Sequence, residues 1–505
     1  MTTSRAGRSG STAACRAVDL ATGVAKPARR ACFLLVAGLW ITHVPVTLAA
    51  ASDPPDRCVD PRAAADTPDT GRPRLPDLRY ECLTLESGSA LWVGEGGNPE
   101  APAVLLIHGL GQQAHRDWRS VVPALLPGFR VITIDLPGFG ASAPLPGGYS
   151  FDVLAATLDE VLRRRQVEQA HVVGHSLGGA LSLHLAWTHP QRVDRLVLVD
   201  AAGILQEAVY VRHLTQLDTS PGSGSRPASV LKRGVNFLRL NLLRKADGKI
   251  NMAWLTRNPR IRNALLGDRP GMDAAISLVL QNFTTAIRDT TAPTTLIWGR
   301  DDPIAPLRTG RLLAARMPSA QLHVLDKVGH VPMTEAPVEF AGLLTDALTA
   351  PPAPPPTPAL IGDSQGDVVC KSKARMRYTG HFNSLRLINC ADAQIEDATL
   401  GRLLIDESTA ELRNVTVNSD TTALTVLGSI VTGTGVLLQG PITLRADGSE
   451  LDLAGATLKA TRKAFHISSS ARIYFSVSDI ESPDYSGTAH EIWTPATLQK
   501  KARQK

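Results

Sequence analysis

Val172-Val173-Gly174-His175-Ser176-Leu177-Gly178-Gly179-Ala180 decides how the rest of the chain is read. A short β-branched run, His171 to Val173, precedes it, and a helix-compatible run, Ala180 to Trp187, follows. The segment Gly174-His175-Ser176-Leu177-Gly178 fits the glycine-X-serine-X-glycine turn in which a strand passes abruptly into a helix. Such a turn pushes the Ser176 side chain into a strained, exposed position, and Gly174 and Gly178 remove side chains that would collide there. The new helix turns its first N–H groups toward any negative charge that develops at the serine. A serine between glycines after a strand is also an ordinary turn, so the reading depends on what the chain supplies elsewhere.

A serine hydroxyl is a poor nucleophile near neutral pH. It needs a base within hydrogen-bond reach and a carboxylate to orient that base. The candidate base is His330, in Val328-Gly329-His330-Val331-Pro332, a loop between a predicted strand ending near Leu325 and the last helix. The candidate acid is Asp302, in Trp298-Gly299-Arg300-Asp301-Asp302-Pro303, with Asp301 as the competing choice. Taken alone, a loop histidine reads as a surface residue and an aspartate before proline as a turn former. Here three loops at the carboxyl ends of predicted strands carry Ser, Asp and His in that order. Two backbone N–H groups are expected to face a developing oxyanion: Leu177, directly after Ser176, and Leu110, after His108-Gly109. Gly109 and Gly111 let that second loop come close. His108 reads equally as a brace for the loop or as a packed core histidine.

The surrounding pattern alternates strand and helix. Ala103 to Ile107, Arg130 to Ile134, the elbow strand, Val193 to Val199, Thr294 to Trp298 and Gln321 to Leu325 read as buried strands. Tyr80 to Trp92 reads as one or two antiparallel strands, and Tyr149 to Arg165 carries apolar residues at helical spacing. This rhythm predicts a mostly parallel sheet covered on both faces. It breaks between about 204 and 290, where a Ser/Gly/Pro stretch (Thr219 to Ser229) and helical runs such as Val230 to Leu243 and Met272 to Ile287 predict an inserted helical cap.

Residues 80–350 resemble the α/β-hydrolase superfamily, specifically its cap-bearing serine members. The resemblance rests on His108-Gly109-Leu110-Gly111, Asp135-Leu136-Pro137-Gly138-Phe139-Gly140-Ala141-Ser142, Gly174 to Gly179, Trp298-Gly299 through Asp302 to Pro306, and Gly329-His330. Carried onto these positions, it implies Ser176 as nucleophile, Asp302 as acid and His330 as base. Asp302 is preferred over Asp301 because it stands three positions after Gly299. The resemblance also argues against dehalogenase or epoxide hydrolase chemistry, which places an aspartate where Ser176 stands. Esterases, lipases, lysophospholipases, amidases, carbon–carbon bond hydrolases, acyltransferases and haloperoxidase-like enzymes remain open, because fold alone does not settle function. No metal or organic cofactor is implied.

The flanking regions carry different signals. Lys26, Arg29 and Arg30, the mostly apolar run Ala31 to Leu48 and the small residues Ala49 to Ala51 read as an export signal over residues 1–51, with an uncleaved membrane anchor as the alternative. The residues before Val24 are polar and unlike a usual signal start, which points to a true start near Val24 or to disorder. Residues 52–79 read as an extended arm. Four cysteines remain beyond the signal, and four allow three pairings. Proximity along the chain favours Cys58–Cys82 and Cys370–Cys390, and an exported chain favours pairing over free thiols.

Pro351 to Pro358 is a stiff linker. Beyond it, residues 359–505 show short alternating apolar runs, with Ser408, Ser429, Ser449 and Ser470 marking segments about twenty residues apart. That period predicts a β-rich domain, as a short β-solenoid or a β-sandwich. The formal net charge of +6 over 505 residues is small, and no basic-aromatic array of the kind nucleic-acid grooves need is present. The expected activity is therefore hydrolysis of small-molecule or lipid esters by an exported serine enzyme. The competing reading is a surface-binding protein whose β-rich domain contacts an envelope glycan, with Tyr474, Phe475, Tyr485 and Trp493 as candidate stacking residues or as core.

Overall fold

In a computed structural model the described residues are 58, 72–111, 113–146, 148–209, 270–317, 319–350, 365–468 and 470–502. The segments expected to be an export signal, most of the expected arm, residues 210–269 of the expected cap and the proline-rich linker lie outside the described residues.

Eight strands form the first sheet: β1 (Arg79–Thr84), β2 (Ala90–Gly96), β3 (Ala103–Ile107), β4 (Arg130–Ile134), β5 (Ala170–His175), β6 (Val193–Val199), β7 (Thr294–Gly299) and β8 (Ala320–Leu325). Their spatial order is β1-β2-β4-β3-β5-β6-β7-β8. The β1–β2 and β2–β4 pairs are antiparallel, and every later pair is parallel. The central strands are apolar on both sides because helices cover both faces. Val104, Leu105, Leu106 and Ile107 have no exposed surface.

Helix α1 (Phe151–Arg164) starts at Ser150, whose Oγ accepts the Val153 N–H and satisfies one of the open donors of the first turn. Its residues Phe151, Leu154, Leu158, Val161 and Leu162 are buried, as the spacing predicts. Helix α2 (Leu177–Thr188) is apolar all round and is buried accordingly. Where the sequence predicts one run from Met272 to Ile287, the chain forms two helices, α3 (Pro270–Leu280) and α4 (Thr284–Asp289). Asn282 ends the first run by accepting the Thr284 N–H on its side chain, a local turn that competes with helix. Helices α5 (Leu307–Arg316) and α6 (Pro337–Thr349) complete this layer. The arm is anchored rather than free at its described residues: Leu75 is buried, Pro73 accepts the Trp92 indole N–H, and Cys58 is bonded to Cys82.

The C-terminal β-rich domain is built from strands that return in parallel onto themselves. The first stack holds β9 (Asp367–Lys371), β11 (Ser384–Ile388), β13 (Leu403–Asp406), β15 (Thr422–Leu427) and the ends of β17 (Leu437–Asp447) and β19 (Thr457–Ile467). The second holds the ends of β10 (Arg377–Phe382), β12 (Ala393–Leu400) and β14 (Thr409–Asn418), the starts of β17 and β19, and β21 (Ser478–Glu481). The third holds the starts of β10, β12 and β14, then β16 (Ile430–Thr434), β18 (Glu450–Ala454) and β20 (Arg472–Ser476). At the end, β22 (Ser486–Ala489) pairs antiparallel with β21, and β23 (Ile492–Trp493) pairs antiparallel with β20.

Leu385, Leu403, Leu424, Leu444 and Phe465 occupy one register column and are buried, so each return covers the apolar side of the one before. The serine markers have a bonding role. Ser408 Oγ accepts the Cys390 N–H, Ser429 Oγ the Ser408 N–H, and Ser449 Oγ the Ser429 N–H. Ser470 departs from the ladder. It is exposed, and Ser468 Oγ accepts the Gly448 N–H instead. Phe465, Phe475 and Trp493 form a buried aromatic cluster, which removes Phe475 and Trp493 as sugar-stacking candidates. The Cys370–Cys390 disulfide ties the first returns together.

The third stack packs on the α/β domain. Ala454 and Val477 belong to the same apolar cluster as Ile304, Leu312 and Leu313. The Arg308 guanidinium, on α5, pairs with both carboxylate oxygens of Asp452 and donates to Gly433 O and Thr434 Oγ1. Arg316 pairs with Asp479, and Ser476 Oγ accepts the Gln206 N–H.

Candidate active site

Ser176 sits between the end of β5 and α2 with φ 55° and ψ −116°, a conformation that costs a non-glycine residue roughly 1–3 kcal/mol. Neighbouring backbone fixes it there. Its N–H donates to Val199 O at 2.9 Å, and its carbonyl oxygen accepts the Ala180 and Ala202 N–H groups. The two flanking glycines are steric necessities. A Cβ on Gly174 would stand 2.2 Å from Gly178 O, and one on Gly178 would stand 2.3 Å from Ile107 O.

The three candidate side chains from three loops meet. His330 Nε2 lies 3.0 Å from Ser176 Oγ, and His330 Nδ1 lies 2.8 Å from Asp302 Oδ2. All three residues are buried. Asp302 Oδ1 accepts the N–H groups of Ile304 and Ala305, and the Trp298 indole N–H donates to Ala305 O, so the acid loop is closed onto its own strand. Asp301 makes no such contact with His330, and its N–H is spent on Val328 O. With Asp302 accepting from Nδ1, the imidazole leaves its Nε2 lone pair for the serine hydroxyl. That arrangement can draw a proton from Ser176 and return it to a leaving group.

Leu110 and Leu177 flank the serine. Leu177 opens α2, so its N–H has no acceptor within the helix. A Cβ on Gly109 would lie 2.9 Å from Ser176 Cβ, which shows how closely the Leu110 loop approaches. His108 fills both roles that the sequence left open. It is fully buried, its Nε2 accepts the Leu136 N–H at 2.9 Å, and its Nδ1 bonds Gly109 O at 2.6 Å. Accepting at Nε2 requires the proton on Nδ1, and burial holds the ring neutral by lowering its pKa.

Three residues around the site were not legible as functional. His175 Nε2 donates to the His330 carbonyl oxygen at 2.6 Å, and burial depresses the ring to about 3, so it braces the base loop as a neutral group. Glu335 accepts the Gly329 and Val331 N–H groups on its two oxygens and so brackets His330 from both sides. Asp117 is pushed up to about 6, chiefly by burial. The sequence signal for His175 was its place inside the turn, but nothing local told which loop it would touch.

The model of the alpha/beta hydrolase fold matches residues 102–337. An uncharacterised protein of Mycobacterium tuberculosis is 30% identical over 257 residues, covering 48% of this chain and 74% of that protein. A 2-hydroxymuconate semialdehyde hydrolase of a Pseudomonas species is 33% identical over 279 residues, covering 54% of this chain and 94% of that enzyme. The chain belongs to the α/β-hydrolase superfamily. Within it, Lipase 1 of Psychrobacter immobilis is 29% identical over 271 residues, covering 52% of this chain and 82% of that lipase. As an α/β-hydrolase, this chain carries its strand-end loops where members of the fold place catalytic groups, at the carboxyl edge of the sheet.

Proposed function

We propose that this α/β-hydrolase is an exported serine hydrolase that cleaves carboxylic esters, of lipid or other acyl type, through an acyl-Ser176 intermediate. The observation that carries the reading is the unbroken contact from Ser176 Oγ through His330 to Asp302. Ser176 Oγ attacks the ester carbonyl while its proton passes to His330 Nε2. The carbonyl oxygen becomes an oxyanion facing the Leu110 and Leu177 N–H groups, each donor of this kind contributing roughly 10²–10³ in rate. Collapse expels the alcohol, which takes the proton from His330. Water then attacks the acyl carbon, giving its proton to His330, and the acid leaves as Ser176 is restored. Asp302 steadies the imidazolium in both halves. A lipase among the relatives supports ester cleavage, and export, which the two disulfides support, fits it. No helix among the described residues is long and apolar enough to cross a membrane.

A panel of p-nitrophenyl esters from two-carbon to long acyl chains tests this. Wild type is expected to turn over at least one, and Ser176→Ala none above the uncatalysed rate. Turnover by Ser176→Ala equal to wild type would reject the acyl-serine route.

A second role is favoured for the β-rich domain. Arg386, Leu404, Thr425, Arg445 and His466 share one outward register column of the first stack. Thr422, Ile442, Arg445, Asp447, His466 and Ser468 line a cleft of about 340 Å³. Arg386, Arg445 and Lys463 are exposed and make no ion pair with a described residue. The third stack differs, because its Arg377 and Arg413 are spent on Glu396 and Glu411. Cations, hydroxyls and the apolar Ile442 side chain suit an acidic sugar polymer. Retention on an immobilised polyuronate, lost in Arg445→Ala/Lys463→Ala, is the expected result. Equal retention of both proteins would remove the role.

A further inference from the structure

Asp200 follows β6, the strand between the one that ends at Ser176 and the one that leads to Asp302. Its side chain is fully buried, and its φ of 43° lies in the left-handed region that non-glycine residues seldom adopt. Its N–H donates to Ile297 O at 3.1 Å, and its Oδ1 accepts the Gly299 N–H at 2.9 Å. Its Oδ2 is buried and has no donor among the described residues. The Asp302 N–H donates to Gly299 O, so the two aspartates bind opposite sides of one residue. Both Asp302 oxygens are already occupied, Oδ1 by Ile304 and Ala305 N–H and Oδ2 by His330.

Two neighbouring carboxyl groups out of water cannot both ionise at modest cost, and one must keep its proton. Asp302 receives three N–H donors and Asp200 receives one, so the proton belongs on Asp200. Burial above all, then the charge of Asp302, raises Asp200 well above the usual carboxylate range, and Glu335 adds to the repulsion while the Gly299 N–H opposes it. The proton also supplies what Oδ2 lacks. As an O–H, that atom becomes a donor and no longer needs one.

We propose that Asp200 is a positioning residue that works as a neutral carboxylic acid, donating from Oδ2 to Asp302 while Oδ1 holds the Gly299 N–H. It thereby fixes the acid loop after β7 to the strand beside the nucleophile. The role rests on the triad reading given above. An unclamped acid loop would let Asp302 drift, and a misplacement of about 1 Å near a reacting centre costs on the order of 10² in rate.

The test compares Asp200→Asn, Asp200→Ala and Asp302→Asn with wild type, in kcat and KM on an active p-nitrophenyl ester and in Tm from pH 4 to 9. The Asn amide copies both bonds of the neutral acid, so its kcat is expected within about threefold of wild type. Asp200→Ala is expected to lose roughly 10- to 100-fold in kcat with KM nearly unchanged. The sign of the pH effect is fixed. The unfolded chain releases the Asp200 proton above about pH 4 while the folded chain keeps it, so wild-type stability falls as pH rises toward the folded pKa. The asparagine escapes this loss, and the Tm of Asp200→Asn minus that of wild type is expected to grow steadily from pH 4 upward.

A pH-independent difference would overturn the proposal, as would an Asp200→Asn enzyme as impaired as Asp200→Ala. An Asp302→Asn enzyme keeping more than about a tenth of wild-type kcat would overturn it too, because Asp200 would then itself serve His330. The Tm series needs no substrate. Wild type inactive on every ester would therefore count against the ester reading and leave the Asp200 test standing.

Discussion

Asp452→Ala should destabilise the protein far more than an ordinary surface ion-pair deletion. The Arg308 side chain is 15% exposed and that of Asp452 9%, so the pair is largely out of water. Removing one partner of a buried pair costs about 3–5 kcal/mol, mostly because the other charge is left uncompensated. Here Arg308 keeps Gly433 O, Thr434 Oγ1 and the Asp452 main-chain oxygen, which points to the lower end, about 3 kcal/mol. Arg308 also stands in the first turn of α5, the helix that leaves the Asp302 loop. A loosened pair should therefore lower kcat as well as stability. The assay is urea unfolding followed by tryptophan fluorescence, with Arg308→Met, Asp452→Ala and the double variant completing a cycle. The double variant should be less destabilised than the two single losses added together, since no charge is left buried. A cost for Asp452→Ala below about 0.5 kcal/mol, the range of surface changes, would refute the argument that the β-rich domain is docked through this pair.

Other outcomes follow from single contacts. Gly178→Ala should fail to accumulate as folded protein, because its Cβ would meet the backbone oxygens of Ile107 at 2.3 Å and His108 at 2.5 Å; a soluble variant with wild-type Tm would contradict this. His175, held neutral with a folded value of about 3, contributes stability that is present above its unfolded pKa near 6.5 and is lost as pH falls toward 3. The fall of Tm between pH 6.5 and 4 should therefore be shallower in His175→Gln than in wild type, as scanning calorimetry can measure. Removing residues 359–505 should leave apolar surface around Leu312 and Leu313 uncovered, so the truncated chain should be less stable and less soluble than the full chain on gel filtration.

The parts of the site that local chemistry dictates were legible. The turn around Ser176 needs glycines at fixed offsets, and those glycines are visible in one sequence. Asp302 and His330 were candidates because each stands in a loop a few residues after a predicted strand. Cys58–Cys82 and Cys370–Cys390 were favoured by chain proximity, and both bonds form. What stayed hidden depends on contacts between distant segments. Asp200 looks like any aspartate after a strand until Gly299 and Asp302 are placed beside it. Glu335 lies on a short helical turn whose start is a proline, and only the fold turns it back onto Gly329 and Val331. Twenty-residue periodicity announced stacked strands but not their third stack against α5, because Arg308 and Asp452 are 144 positions apart. The aromatic residues near the C-terminus were ambiguous for the same reason, since sugar-stacking and core-packing rings have the same composition.

The central claim is that Ser176 becomes covalently acylated, and the most direct measurement is intact-mass spectrometry after exposure to a p-nitrophenyl alkylphosphonate ester. Such a reagent transfers its phosphonyl group to an activated serine, releases p-nitrophenol and leaves a stable adduct. One added phosphonyl group per chain is expected, mapped by peptide digestion to Ser176, with none on Ser176→Ala and little on His330→Ala. Labelling of wild type and Ser176→Ala to the same extent, or no labelling of folded wild type by any chain length of reagent, would contradict it.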